Sequence, residues 1–234
     1  MQTRQQFARL ATGITLAALV ASVAAHAGQK PKDWNPIVDP GNFVRVVDNT
    51  YFPLSPGHAS RFQQQGGDET LRIEVSGHTR TIMGVRTVEV IETAAVAGQT
   101  VEVSRNWYAQ DRDGNVWYFG EATQLYENGA PAGTEGSWEA GVAGALPGII
   151  MKGQPQHGDT YFQEYAAGVA EDMATVLDIG GTENTERDIY SNVLRVKEWN
   201  PLSSNSLEHK YYAPGVGLFL EVEGSKRLEL VAIE

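Results

Sequence analysis

The sequence predicts an all-β fold, or a β-rich α+β fold, built as a curved antiparallel sheet or open half-barrel with a few short helices. Two observations indicate it. Apolar and polar residues alternate with a period of two in short runs, and Gly, Pro, Asn or Asp separate these runs at intervals of about ten residues. This spacing favours antiparallel strands over βαβ units. Because no repeat, low-complexity tract or linker interrupts it, we expect one domain over residues 43–234.

The alternation typical of half-buried strands is clearest in five runs. They are Leu71–Val75, Val101–Val103, Leu194–Val196, Leu218–Val222 and Leu228–Leu230. The last two flank Gly224-Ser225-Lys226, which predicts a hairpin turn. Short helices are expected only near Asn42–Asp48, Gly141–Met151 and Ala170–Leu177.

The N-terminal segment has the composition of a secretion signal. Arg4 and Arg9 precede an apolar run from Leu10 to Ala25. Ala25-His26-Ala27, at its end, matches the small-x-small pattern of a cleavage site. The run is shorter than the ~20 apolar residues of a membrane span. We therefore predict a signal peptide at residues 1–27, an extended lead-in at 28–42, and a periplasmic or secreted product without a membrane anchor.

Charge and cysteine content exclude several functions. The formal net charge is −11, and the predicted signal contributes two arginines and no acid, so the mature chain is more acidic still. A surface of this sign disfavours nucleic acid as a partner. It is compatible with cation binding and equally with plain solubility. The chain has no cysteine, which removes disulfides, thiolate metal sites and cysteine nucleophiles.

One segment, NWYAQDRDGNVWYFGE at 106–121, predicts an aromatic hairpin. With Asp113-Gly114 as a two-residue turn, one face carries Trp107 and Tyr118 beside Asp111. The other face then carries Tyr108, Trp117 and Phe119. Bulky rings on both faces require a cover on each side, so we expect the hairpin to lie centrally. Ordinary core packing and a ligand pocket are both consistent with this pattern.

The pocket interpretation defines a set of candidate ligand-binding residues. Trp138 lies between glycines in a predicted loop, where an exposed ring suggests binding. The candidates for apolar walls and ring platforms are Trp107, Tyr108, Trp117, Tyr118 and Trp138. Glu121 and His209 are the candidate polar anchors.

The turn of the hairpin also resembles the start of a calcium loop. An EF-hand beginning at Asp111 requires Gly at its sixth position and Glu at its twelfth, but Val116 and Ala122 stand there. A simpler calcium site built from Asp111, Asp113 and Asn115 remains an alternative to a plain turn.

Signatures of other chemistry are weak. The histidines lack metal-ligand spacing, and the chain has no G-x-S-x-G, phosphate-cradling loop or H-E-x-x-H. Glu164, Glu171-Asp172 and Glu208-His209 are acids that would converge only through the fold, as ligands or as an acid–base pair. A solvated surface is the alternative for these acids.

Four segments together resemble an uncharacterised family of exported bacterial β-rich proteins. They are NWYAQDRDGNVWYFGE (106–121), GSWEAGVAGALPGI (136–149), AEDMA (170–174) and EHKYYAPGVGL (208–218). The resemblance extends from Tyr51-Phe52-Pro53-Leu54 onward and carries over no catalytic residue. The segment YYAPGVGL (211–218) is also similar to one in periplasmic half-barrels of the lipoprotein-carrier type, which implies a groove for an apolar ligand.

These observations lead to three functional hypotheses. The first is a non-enzymatic exported protein that holds a small or lipid-like apolar ligand in an aromatic-lined concavity. The second is a module that binds calcium or another cation through clustered carboxylates. The third is an enzyme whose carboxylate and histidine site forms only in the fold. Apart from calcium, the sequence predicts no cofactor.

Overall fold

The computed structural model describes residues 34–203 and 206–234. The predicted signal peptide and the first part of the lead-in lie outside these residues. The strands, in chain order, are β1 (Val47–Asn49), β2 (Phe52–Leu54), β3 (Ala59–Gln64), β4 (Glu69–Ile82), β5 (Val85–Val96), β6 (Gln99–Gln110), β7 (Val116–Glu127), β8 (Ala130–Gly133), β9 (Trp138–Glu139), β10 (Leu146–Met151), β11 (Thr160–Phe162), β12 (Glu164–Tyr165), β13 (Met173–Asn184), β14 (Ile189–Trp199), β15 (Leu207–Ala213), β16 (Gly217–Glu223) and β17 (Lys226–Ile233).

Fifteen of these strands form one antiparallel sheet. Its order is β11-β13-β14-β15-β16-β17-β3-β4-β5-β6-β7-β10-β12, with β8 and β9 paired to β7, while β1 and β2 form a separate pair. The two end strands, β11 and β12, are separated in the chain only by Gln163. The sheet is therefore nearly closed into a barrel, which confirms the predicted curved antiparallel architecture.

The three predicted helices are wrong. The only helical element in the described part of the chain is a 3₁₀ turn at Pro40–Asn42. The segment 141–151 forms turns and strand β10, and the segment 170–177 contains only the first five residues of strand β13. Positive φ angles of 85° at Gly141 and Gly144 and 50° at Ala143 exclude a helix there. Within residues 34–203 and 206–234, no helix is long and apolar enough to cross a membrane.

Directly paired residues form rows around the inner wall of the barrel. One apolar row crosses four strands through Leu230, Phe62, Leu71 and Ala94. A neighbouring row has polar members and runs Ser60, Ile73, Glu92, Ser104 and Thr123. Because directly paired side chains share a face, Glu92 points to the same side as the apolar row. The interior is thus apolar in one layer and polar in the next.

The hairpin turn differs from its prediction by one residue. The Asp111 amide donates to the Asn115 carbonyl oxygen at 2.9 Å, so the loop has three residues, 112–114. Gly114 adopts a φ of 84°, as in a type I turn followed by a left-handed residue. The predicted pairing of Tyr108 with Phe119 is therefore wrong, and Tyr108 pairs with Tyr118. A bulge between Trp107 and Tyr108 then restores the predicted pairing of Trp107 with Gly120.

Rings cover both sides of the hairpin, as predicted. The predicted grouping of the rings is wrong, however, because Tyr108 and Tyr118 share one face, whereas Trp107 and Trp117 share the other. Phe43, which follows the lead-in, packs edge-on against Trp117 with ring centroids 6.1 Å apart. Strands β5 and β10 flank the hairpin within the sheet, so it lies centrally and not at an edge.

Candidate functional site

The barrel contains a partly open cavity of about 130 Å³. Its apolar wall consists of Phe52, Pro53, Leu54, Phe62, Ile73, Val75, Val90, Ile150, Trp199, Leu207, Val216 and Leu218. Its acidic lining consists of Glu92, Glu164, Asp172, Glu198, Glu208, Glu221 and Glu223. Tyr108, Tyr118 and Tyr212 line it as well, together with one lysine, Lys210. Such a mixture of apolar walls and converging polar groups is typical of small-molecule sites.

Strand alternation places the charged groups. Glu208, Lys210 and Tyr212 are spaced two residues apart on β15 and therefore face the interior together. Lys210 pairs across the sheet with Glu221 of β16, and Glu208 pairs with Glu198 of β14. Three neighbouring strands thus bring one cation and three acids to the same part of the wall.

Lys210 is the centre of a buried ion-pair network. Its Nζ lies 3.0 Å from Oε2 of Glu198, and 3.8 Å from carboxylate oxygens of both Glu208 and Glu221. The amide Nε2 of Gln163 donates to the other Glu198 oxygen at 2.8 Å. The three acids raise the pKa of Lys210 well above its usual value despite its burial. Lys210 is therefore protonated, and its charge is already shared.

The acids of the cavity outnumber this one cation. Burial raises the pKa of Glu92 to about 8, and the charges of Glu121 and Glu102 add to the effect. Burial also raises the pKa of Glu221 to about 7, although Lys210 opposes the shift. The pKa of Glu208 lies well above its usual value for the same reason. Several carboxyls therefore hold protons near neutral pH.

Glu164 and Asp172 form a second acidic pair. Burial and contact with Asp172 raise the pKa of Glu164 well above its usual value, and burial raises that of Asp172 to about 6. Oε2 of Glu164 is buried and has no hydrogen-bond donor of normal geometry among the described residues. The Trp138 indole N–H lies near enough to lower the pKa of Glu164, yet it too lacks a partner of normal geometry.

Two of the predicted ligand-binding rings line the cavity. Tyr108 and Tyr118 stack with centroids 4.8 Å apart. The Tyr118 hydroxyl donates to Oδ1 of Asn106 and also lies 3.3 Å from Oε2 of Glu121. These bonds fix the orientation of the Tyr118 ring, so the rings form a rigid part of the wall.

The structure places the other three predicted rings away from the cavity wall. Trp107 lies on the outer face of the hairpin, where the Arg80 guanidinium covers its ring at 4.6 Å. Trp117 lies on that face too, with its indole N–H donating to Asp111 at 2.8 Å. Trp138 is not in an exposed loop but in β9, buried edge-on against Tyr118.

Neither predicted polar anchor lines the cavity. Glu121 is buried on the inner side of β7, where it accepts a hydrogen bond from the Thr123 hydroxyl at 2.8 Å. His209 alternates with Lys210 along β15 and so points to the opposite face. Burial and the charges of Arg195 and Lys197 lower the pKa of His209.

The candidate calcium ligands form a capped turn. The Asp111 carboxylate accepts hydrogen bonds from the amides of Asp113 and Asn115, from the Asn115 side chain and from Trp117. These four donors occupy both oxygens. In residues 34–203 and 206–234, no grouping of three or more histidines and acids is arranged to hold a metal ion.

Several of the charged residues that line the cavity were not among the candidates from the sequence. Of the acids that the sequence marked as able to converge, Glu164, Asp172 and Glu208 do line the cavity. Lys210, Glu92, Glu198 and Glu221 were missed. The spacing E-x-K-x-Y at 208–212 is the signal that identifies one face of β15, and it favours Lys210 over His209.

Comparison with models of known protein families, with curated proteins and with solved structures finds no match to this chain. The geometry of the cavity is therefore the basis for its functional interpretation.

Proposed function

We propose that this protein is an exported binding protein that holds a small, partly apolar ligand inside the barrel. The observation that carries the proposal is the cavity itself, which has Tyr108 and Tyr118 in its wall and an acidic lining beside them. Apolar walls favour the body of a ligand, and a few fixed polar groups orient it. The signal-like segment at residues 1–27 supports export.

The size of the cavity limits the enclosed part of the ligand. A volume of about 130 Å³ is close to that of an engineered protein cavity of about 150 Å³ that binds benzene. The enclosed portion is then a single ring or a short chain. Leu207, which is 47 % exposed, belongs to the wall, so a longer apolar tail can continue toward the surface there.

Benzyl alcohol is a suitable probe, because it combines one ring with one hydroxyl. We expect it to bind saturably in an NMR shift titration and to raise the melting temperature, as any ligand of the native state does. Ser60→Phe introduces a ring at a lining position of β3 and should weaken this binding at least about tenfold by filling the space.

Arg61→Phe is the matched control, since the adjacent residue on β3 points outward and is exposed. It adds the same ring without entering the barrel and should leave the affinity unchanged. Equal weakening by both variants, or no saturable binding to the unmodified protein, would overturn the proposed function.

A further inference from the structure

We propose that the ligand of this cavity carries an organic ammonium group, which binds between the carboxyls of Glu164 and Asp172. This inference rests on the proposed binding function and names the chemical class of the ligand. Four observations support it: the excess of acids in the lining, the full engagement of the single lysine, an unpartnered oxygen on Glu164, and the neighbouring tyrosine rings.

The charge of the lining is strongly one-sided. Seven acidic side chains, one lysine and one histidine, His58, line the cavity. No Lys, Arg or His of the described chain forms an ion pair with Glu92, Glu164 or Asp172. Buried carboxylates without a partner are costly, so they either take up protons or bind a cation. A ligand that brings positive charge is therefore favoured over a neutral or anionic one.

Lys210 does not make the site suitable for an anion. Its ammonium group already lies within 3.8 Å of three carboxylates, the closest being that of Glu198 at 3.0 Å. An incoming anion would meet those acids before it gained a free cation. Such juxtaposition of like charges costs affinity.

Glu164 provides independent evidence for a ligand, because one of its carboxylate oxygens lacks a hydrogen-bond donor of normal geometry among the described residues. This residue is only 2 % exposed and lines the cavity, and the oxygen concerned is its Oε2. Asp172, beside it, is a second acidic group with a raised pKa, so the only donor that the pair itself can supply is a carboxyl proton held by one of the two acids. An ammonium group supplies up to three N–H donors together with the positive charge, and so satisfies both acids.

The rings nearby suit an organic cation better than a metal ion. Tyr108 and Tyr118 line the same cavity, and burial raises the pKa of each hydroxyl, with a smaller contribution from the charge of Glu164. Aromatic faces attract ammonium groups. A metal ion would need at least three converging ligands, an arrangement absent from the described residues. Apolar walls next to the acids leave room for the carbon substituents of an amine.

Three probes of similar size but different charge test the inference: benzylamine, benzyl alcohol and benzoate. Near neutral pH, where benzylamine is protonated, we expect it to bind at least about tenfold more tightly than benzyl alcohol, because a charge-assisted hydrogen bond is stronger than a neutral one. Benzoate should bind more weakly than either. Affinities are measured by NMR shift titration with the intact protein.

Substitutions of the two acids test where the ammonium group of the ligand binds. Glu164→Gln and Asp172→Asn should each reduce the affinity for benzylamine about tenfold or more while changing that for benzyl alcohol little. Glu102→Gln is the matched control, since Glu102 is also a buried acid of the barrel with a raised pKa but does not line the cavity. It should leave both affinities unchanged. Using two site variants guards against one of them failing to fold.

The outcomes separate this inference from the proposed function. If benzyl alcohol binds as tightly as benzylamine, or if Glu102→Gln weakens benzylamine as much as Glu164→Gln does, the ammonium site is refuted while the cavity remains a binding site. If no probe binds saturably, both the inference and the proposed function fail.

Discussion

Nζ of Lys210 lies 3.0 Å from Oε2 of Glu198 inside the barrel, where both side chains are almost fully buried. This ion pair links the neighbouring strands β14 and β15, which carry Glu198 and Lys210 respectively. Two further acids lie within 3.8 Å of the same ammonium group. One cation therefore stabilises three neighbouring acids of the wall.

The first prediction concerns this lysine. Lys210→Met removes the shared cation and leaves three buried acids without it, so we expect the free energy of unfolding to fall by about 3–5 kcal/mol. Urea unfolding measures the change. Lys197→Met is the control, because that side chain only covers the Trp199 ring at 4.9 Å, and it should cost about 1 kcal/mol or less. Similar decreases in the free energy of unfolding for the two variants would contradict the stabilising role of Lys210 in the ion-pair network.

The second prediction is that stability falls as the pH rises from about 5 to about 8. The pKa of Glu92 is raised from 4.5 in the unfolded chain to about 8 in the fold. Between these values the folded state binds more protons than the unfolded state, so raising the pH favours unfolding. Glu102, with a pKa of about 8, and Glu221, with a pKa of about 7, act in the same direction.

Glu92→Gln tests the origin of that slope. Each unit by which a folded pKa exceeds the unfolded value costs about 1.4 kcal/mol once the pH is above both. Replacing Glu92 by a neutral isostere should therefore make the decline between about pH 5 and about pH 8 shallower, as followed by urea unfolding. A stability that rises over this range in the unmodified protein would show that the buried acids are not the dominant titrating groups.

The third prediction concerns the place where β10 and β12 meet. A Cβ at Gly148 would lie 2.2 Å from the backbone carbonyl atoms of Gln163, next to Glu164. Gly148→Ala must push these strands apart, so we expect it to cost about 1–3 kcal/mol and to weaken benzylamine binding by displacing Glu164.

Gly181→Ala is the matched control for Gly148→Ala. There the new Cβ would approach only the carboxylate end of Asp178, at 3.1 Å, and a flexible side chain can move. The free energy of unfolding should change by about 0.5 kcal/mol or less. If Gly148→Ala is tolerated equally well, the backbones are not in close contact at this junction.

The fourth prediction concerns the turn at Asp111. Asp111→Ala removes the acceptor of four hydrogen bonds and should cost about 1–3 kcal/mol, equally in calcium chloride and in a chelator, because the carboxylate acts as a cap. Asp113→Ala is the control, since its side chain is exposed. A melting temperature that calcium raises in the unmodified protein but not in Asp111→Ala would instead establish a calcium site.

Strand alternation and turn residues were sufficient to predict the β architecture and the central position of the hairpin. The register of that hairpin was not predictable, because the Asp111 side chain caps a three-residue loop where Asp113-Gly114 alone indicated two. The resulting shift brings Tyr108 opposite Tyr118. It determines which rings face the cavity.

The polar interior could not be predicted from the alternation of apolar and polar residues either. An alternating strand normally turns its apolar residues inward, but Glu221 in β16 and Glu102 in β6 are buried, as is Lys210 in β15. These side chains are stable inside only because neighbouring strands supply partners or because the acids hold protons. Such compensation depends on contacts distant in sequence, which periodicity does not contain.

Intermolecular nuclear Overhauser effects between benzyl alcohol and the protein test most directly whether the barrel interior receives a ligand. We predict cross-peaks from the probe ring to the ring protons of Tyr108 and Tyr118, which line the cavity. Cross-peaks confined to the outer ring of Trp117, with none to the two tyrosines, would contradict this account.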